Sequence, residues 1–166
     1  MAGAIIAAAV SVLIFGIGYL TEGRRARRRR LDDEALSGAI AFLAASSKRR
    51  RQLGVLSSMA RRDSLAGKDI FRLDPPPEDI ADALKRYALI LDQYGEAEAR
   101  VRFLLPPALH QQIGELNEKH SELRELIGQP GFQQCADELA AAMGDWTDRA
   151  EAYLRGPKLV RAPIGR

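Results

Sequence analysis

EDIADALKRYALILDQYGEAEARVRFLL, residues 78–105, decides how the chain folds. Ile80, Leu84, Tyr87, Leu91, Tyr94, Val101 and Leu105 recur at steps of four and three, with Glu98 as the one polar residue on the stripe. A helix turns every ~3.6 residues, so this spacing lines them along one side, as in a coiled-coil or bundle seam. A half-buried strand would alternate at every second residue, and no stretch does so for long. Glu78 and Asp79 open the segment with the charge that suits a helix N-terminus.

Toward the C-terminus the same rule repeats. Pro106 and Pro107 stop the first helix and suit the first turn of another. Leu109, Ile113, Leu116, His120, Leu123 and Ile127 then form a second stripe, with Glu115 and Lys119 expected to pair across one turn. Gly128 closes that helix. Beyond Pro130, a third stripe runs through Phe132, Ala136, Leu139, Met143, Trp146, Ala150 and Tyr153 until Gly156-Pro157. Such short connections make neighbouring helices antiparallel. Residues 78–156 are therefore predicted to form a small antiparallel helical bundle, and 157–166 a flexible tail.

Toward the N-terminus, residues 63–77 contain Gly67 and Pro75-Pro76-Pro77 and read as an extended, Pro-rich linker. Residues 22–62 read as a basic, amphipathic juxtamembrane helix. Asp32, Asp33 and Glu34 mark its start, and Leu36, Ile40 and Leu43 give a stripe. The polar run from Ser46 to Arg51 interrupts that stripe before Leu53, Leu56 and Ala60 resume it. This helix either lies on a membrane surface with Phe42 and the leucines inserted, or joins the bundle as a fourth member.

Residues 2–20 hold no charged side chain. About 19 helical residues span roughly 28 Å, close to the ~30 Å of a bilayer's hydrocarbon core. Residues 1–21 are thus expected to be a transmembrane anchor, with Tyr19 at the headgroup level. A cleavable leader would carry its positive charge before the apolar run, whereas here it follows. Arg24, Arg25, Arg27, Arg28, Arg29 and Arg30 come directly after the span, which predicts an outward N-terminus and a cytoplasmic C-terminal domain. These six arginines are the candidate lipid-facing and topology-setting residues, and an anionic inner leaflet is their expected partner. Gly3, Ala7 and Ser11 recur every four residues and form a candidate helix-association face within the span.

Charge divides the chain in two. Of the 25 Lys and Arg and 22 Asp and Glu, 12 and 4 fall within residues 1–62, leaving 13 and 18 in residues 63–166. The basic half abuts the span. No aromatics interleave with the arginines to stack on bases, which disfavours nucleic acid as a partner.

The inventory for chemistry is thin. Cys135 is the only cysteine, which excludes an intramolecular disulfide and a four-cysteine zinc site. His110 and His120 lack metal-ligand spacing, and His120 falls on a seam, where a buried, hydrogen-bonded histidine is expected. Cys135 beside Phe132 and Ala136 reads as a small buried hydrophobe, and Trp146 and the tyrosines read as core. No Gly-rich phosphate loop is present, and neither a cofactor nor a metal is expected. The sequence therefore predicts an all-α, single-pass inner-membrane protein, its bulk cytoplasmic. It is expected to be non-catalytic, acting as an interaction or scaffold protein that self-associates or holds a protein partner. The alternative is a holin-like, membrane-perturbing protein of phage or prophage origin.

Overall fold

The computed structural model describes the backbone of residues 2–62, 65 and 68–155, and side chains from Arg30 onward. Four α-helices account for most of it: α1 (Ala2–Ala60), α2 (Glu78–Leu104), α3 (Pro107–Glu125) and α4 (Phe132–Arg155). Among the described residues there is no strand. The expected tail, 157–166, lies outside the described residues.

α1 is one uninterrupted helix of 59 residues. The helix start expected at Asp32 is absent. Nothing between Leu20 and Asp32 can break a helix: no proline occurs there, Gly23 alone costs only ~1 kcal/mol, and arginine is a good helix former. At ~1.5 Å per residue, Leu20 and Arg30 lie about 15 Å apart along the rod.

From Ala35 onward α1 is a full member of the bundle, which resolves the two readings of the juxtamembrane helix in favour of packing. Its buried seam is Ala35, Ala39, Phe42, Ser46, Leu53, Leu56 and Ala60, at steps of four and three once half-buried Arg49 is counted between Ser46 and Leu53. The expected stripe of Leu36 and Ile40 is displaced by one residue, and both are exposed. Small side chains won these positions because α1 and α2 approach closely. A Cβ added to Gly38 would stand 3.1 Å from Leu104 Cδ1.

Cross-helix contacts give the directions. Gly38 lies by Leu104, Gln52 donates to the Ala83 carbonyl at 3.0 Å, and Arg62 forms an ion pair with Asp79, so α1 and α2 are antiparallel. That pairing holds the Asp79 carboxyl below the usual carboxylate range, chiefly through the hydrogen bond from Arg62. Phe42 meets Trp146 and Arg50 reaches the Ala136 carbonyl, which makes α1 and α4 antiparallel as well. Ser46 contacts His120 and Ser57 accepts from the Gly128 amide at 3.1 Å, so α3 runs parallel to α1 across the bundle. The result is an up-down-up-down four-helix bundle.

The α3 stripe is buried from Leu109 to Leu123, and the α4 stripe from Phe132 to Ala150, with Cys135 added. In α2, Leu91 of the expected stripe is exposed, while Ala83 and Ala97 are buried on its flank. The linker is more structured than an extended segment. A 3-10 helix, Ile70–Arg72, is capped by Asp69, whose carboxylate accepts from the Phe71 amide, and Leu65 and Ile70 are buried. Two apolar residues thus hold the linker to the end of the bundle, where burying each is worth roughly 1.5–3 kcal/mol before ordering costs.

Gly128 ends the α3 turn with φ 77°, and a Cβ there would sit 3.1 Å from Ala60 Cβ. Left-handed backbone costs an L-residue about 1–2 kcal/mol, so Gly128→Ala is expected to lower the unfolding free energy by about 1–2 kcal/mol or slightly more. Phe42 is fully buried, and Phe42→Ala should cost about 3–5 kcal/mol. Urea midpoints followed by the fluorescence of Trp146, the sole tryptophan, measure both. A Gly128→Ala midpoint equal to wild type would contradict the strained-turn argument.

Candidate functional site

Each helix contributes one ring to a cluster at mid-bundle. Phe42 of α1 lies 5.3 Å from Tyr94 of α2 and 5.1 Å from Trp146 of α4. Tyr94 stands edge-on to His120 of α3 at 5.4 Å. Such tilted and edge-on pairs contribute about 0.5–1.5 kcal/mol each beyond their buried area. Beside the rings, Ser46 Oγ lies 2.8 Å from His120 Nε2 and 3.4 Å from Met143 Sδ. Arg49 covers the Tyr94 face at 4.9 Å, within cation–π range. Within the polar run that the sequence suggested as an interruption, buried Ser46 and half-buried Arg49 therefore add a polar layer to the core.

A serine hydroxyl on a histidine resembles part of a nucleophilic pair. Ser46 and His120 are both 0% exposed, and His120 Nδ1 has no hydrogen-bond partner, so no carboxylate orients the ring and no substrate reaches the hydroxyl. Desolvation pushes the His120 pKa down to about 3, and the charges of Arg49 and Arg50 add to that. The imidazole is neutral, and its bond to Ser46 ties α3 to α1. Burial also pushes the Tyr94 phenol up, with the Glu98 charge assisting.

Glu98, the polar residue on the α2 stripe, proves to be a bridge. Tyr94 Oη donates to Asn117 Oδ1 at 2.7 Å, Asn117 Nδ2 donates to Glu98 Oε1 at 3.0 Å, and Arg102 Nε donates to the same oxygen at 2.8 Å. This chain joins α2 to α3. His110 Nε2 donates to the Leu105 carbonyl at 2.9 Å, which braces the diproline turn. Periodicity marks Glu98 as out of place but cannot supply Asn117, which lies 19 residues away.

Cys135 is buried, and its Sγ lies 4.0 Å from the Lys119 carbonyl oxygen. Burial raises its pKa, with Glu122 and Glu138 adding to the shift, so the thiolate is disfavoured. His120 is taken up by Ser46, and the two do not form a Cys–His pair. Lys119 pairs with Glu138 of α4 at 3.7 Å rather than with Glu115, whose carboxylate accepts from Gln111. Inter-helix packing placed Lys119 closer to α4. Among the described residues, no group of three or more His, Cys, Asp or Glu side chains is placed to hold a metal ion.

A cavity of about 720 Å³ at the linker end includes Arg61, Lys68, Phe71 and Arg124. It is a poor anion site. α1 and α3 both end here, so their C-terminal carbonyls bring partial negative charge, which the basic side chains offset. Arg61 donates to the Gln129 carbonyl at 3.3 Å, and Arg124 stacks on Phe71 at 4.5 Å.

Of the residues singled out for the membrane, Arg30 is exposed. The side chains of Arg24, Arg25, Arg27, Arg28 and Arg29, and of Gly3, Ala7 and Ser11, lie outside the described residues. Among the described residues, no helix is long and apolar enough to cross a membrane; of the expected span, residues 1–21, the side chains lie outside the described residues. No protein-family model, no curated protein and no solved structure matches the chain.

The buried histidine makes a prediction about acid. Its folded pKa, about 3, lies below the ordinary histidine value of 6.5, so the unfolded chain takes up the proton first. The stability this neutral ring contributes is complete above pH 6.5 and is lost as pH falls toward 3. The limiting slope is about 1.4 kcal/mol per pH unit. Unfolding free energy should drop by about 2 kcal/mol between pH 7 and pH 5, and His120→Leu should flatten that slope, whatever it does to stability at pH 7. Urea titrations at each pH provide the measurement, and an unchanged slope in the variant would remove His120 as its source.

Proposed function

We propose that the protein is a single-pass, membrane-anchored helical scaffold, non-catalytic, with its N-terminus outside and its bundle in the cytoplasm. The observation that carries this reading is the continuity of α1 from Ala2 to Ala60. One helix holds the apolar stretch 2–20, the six arginines and the seam on which the bundle closes. A membrane-embedded N-terminal part would therefore hold the bundle on a stiff stalk, about 15 Å from Leu20 to Arg30. Its arginines would lie in the headgroup zone, where each basic residue near an anionic leaflet contributes about 1 kcal/mol. The absence of a reachable nucleophile or of an exposed acid–base pair around the described histidines and cysteine supports a binding role. Self-association or a protein partner at the inner leaflet remains the proposed activity, with nucleic acid disfavoured.

Fractionation and topology reporters test this. Full-length protein should stay in the membrane pellet after alkaline carbonate, and deletion of residues 2–20 should move it to the supernatant. A fluorescent protein fused after Arg155 should fold in the cytoplasm, and exchanging all six arginines for glutamate should reduce that signal several-fold by weakening orientation. Release of the intact chain by carbonate would sink the anchor. Loss of membrane potential on expression would favour the holin-like alternative over the scaffold.

A further inference from the structure

α1 and α4 part at the end of the bundle where α1 enters. The groove between them, about 330 Å³, is lined by Leu36, Ile40 and Leu43 from α1 and by Trp146, Ala150 and Leu154 from α4. Leu36 and Ile40 are 49% and 59% exposed. They are the residues displaced from the seam when small side chains took the α1–α2 contact. Asp32, Asp33 and Glu151 line its rim, together with Arg155, which pairs with Glu151.

We propose that this groove is the docking site of the chain's own segment 156–166. α4 ends at Arg155, itself part of the lining, so the segment begins at the groove's edge. Gly156-Pro157 is a pair that disfavours continuation of a helix. After it come Lys158, Leu159, Val160, Arg161, Ala162, Pro163, Ile164, Gly165 and Arg166. Leu159, Val160 and Ile164 match the apolar floor. The segment carries three basic side chains and no acidic one, which complements a rim bearing Asp32 and Asp33.

The lengths agree. From Arg155 back to Trp146 is nine helical residues, about 14 Å. Extended chain covers that in four or five residues at ~3.3 Å each, and 158–164 supplies seven. Pro157 and Pro163 favour extended backbone and reduce the entropy lost on docking. A groove this small offers much less than the ~1,200 Å² that a stable interface between separate chains buries. A tethered segment needs less area because its effective concentration is already in the millimolar range. The inference is independent of the membrane reading, since groove and segment belong to the same bundle.

Disulfide trapping in the full-length protein tests it. In a Cys135→Ser background, Ile40→Cys is combined with Val160→Cys; the control pairs Val160→Cys with Asp148→Cys, which is exposed on α4 outside the groove lining. Under mild oxidant the Ile40 pair should close within one chain at least about tenfold faster than the control, as docking raises local concentration. Replacing Asp32 and Asp33 with lysine should slow it several-fold. Equal rates for the two pairs, a disulfide joining two chains, or no disulfide at all would each overturn the proposal. Ile40 is exposed, so its replacement leaves the core intact, and circular dichroism of each variant verifies that.

Discussion

Phe42, Tyr94, His120 and Trp146 bring one ring from each helix to a single point in the bundle. A helix can slide or rotate against a smooth apolar neighbour at modest cost, but a tilted ring pair has one favoured offset. Fixing one ring from every helix therefore sets the register of all four together. The bond from Ser46 to His120 adds a directional contact between the two helices that face each other across the bundle. A buried polar pair of this kind is better attested for fixing register than for adding stability, and that is the role its position here supports.

The packing around this cluster explains the surface. Because Gly38 brings α1 close to Leu104 and Val101 of α2, the small Ala35 and Ala39 take the buried positions beside it, and the bulkier Leu36 and Ile40 turn toward α4. There they border an open groove instead of a closed seam. One choice of small residues thus tightens one interface and leaves another unfilled. The polar chain of Tyr94, Asn117, Glu98 and Arg102 plays the complementary part between α2 and α3, satisfying a half-buried carboxylate.

Continuity of α1 links this interior to the proposed role. In the arrangement we propose, the helix that enters the bilayer is also the helix on whose seam the bundle closes, with no break between them. Orientation fixed by the arginines would then pass directly to the bundle's surfaces. The basic residues at the opposite end fit the same economy. Arg61 and Arg124 sit where two helices expose their C-terminal carbonyls, and they offset that partial charge instead of forming a separate anion site.

Much of this was legible in residue order. Stripes at steps of four and three, the diproline at 106–107 and Gly128 determined three helices and their boundaries, because local backbone preference and one-sided burial both act over a few residues. The same pattern marked His120 as a buried core residue, and the charge-free run at 2–20 with its flanking arginines is read from sequence alone. Tertiary structure decided what depends on neighbours distant in the chain. Ala35 and Ala39 hold the α1 seam in place of Leu36 and Ile40, beside the close approach of α2 at Gly38, where small side chains fit better. Glu98 became a bridge because Asn117 lies opposite, and Lys119 took Glu138 over Glu115. Hydrophobic periodicity records which face is apolar, but the identity of each partner is fixed only when four helices share one set of rings.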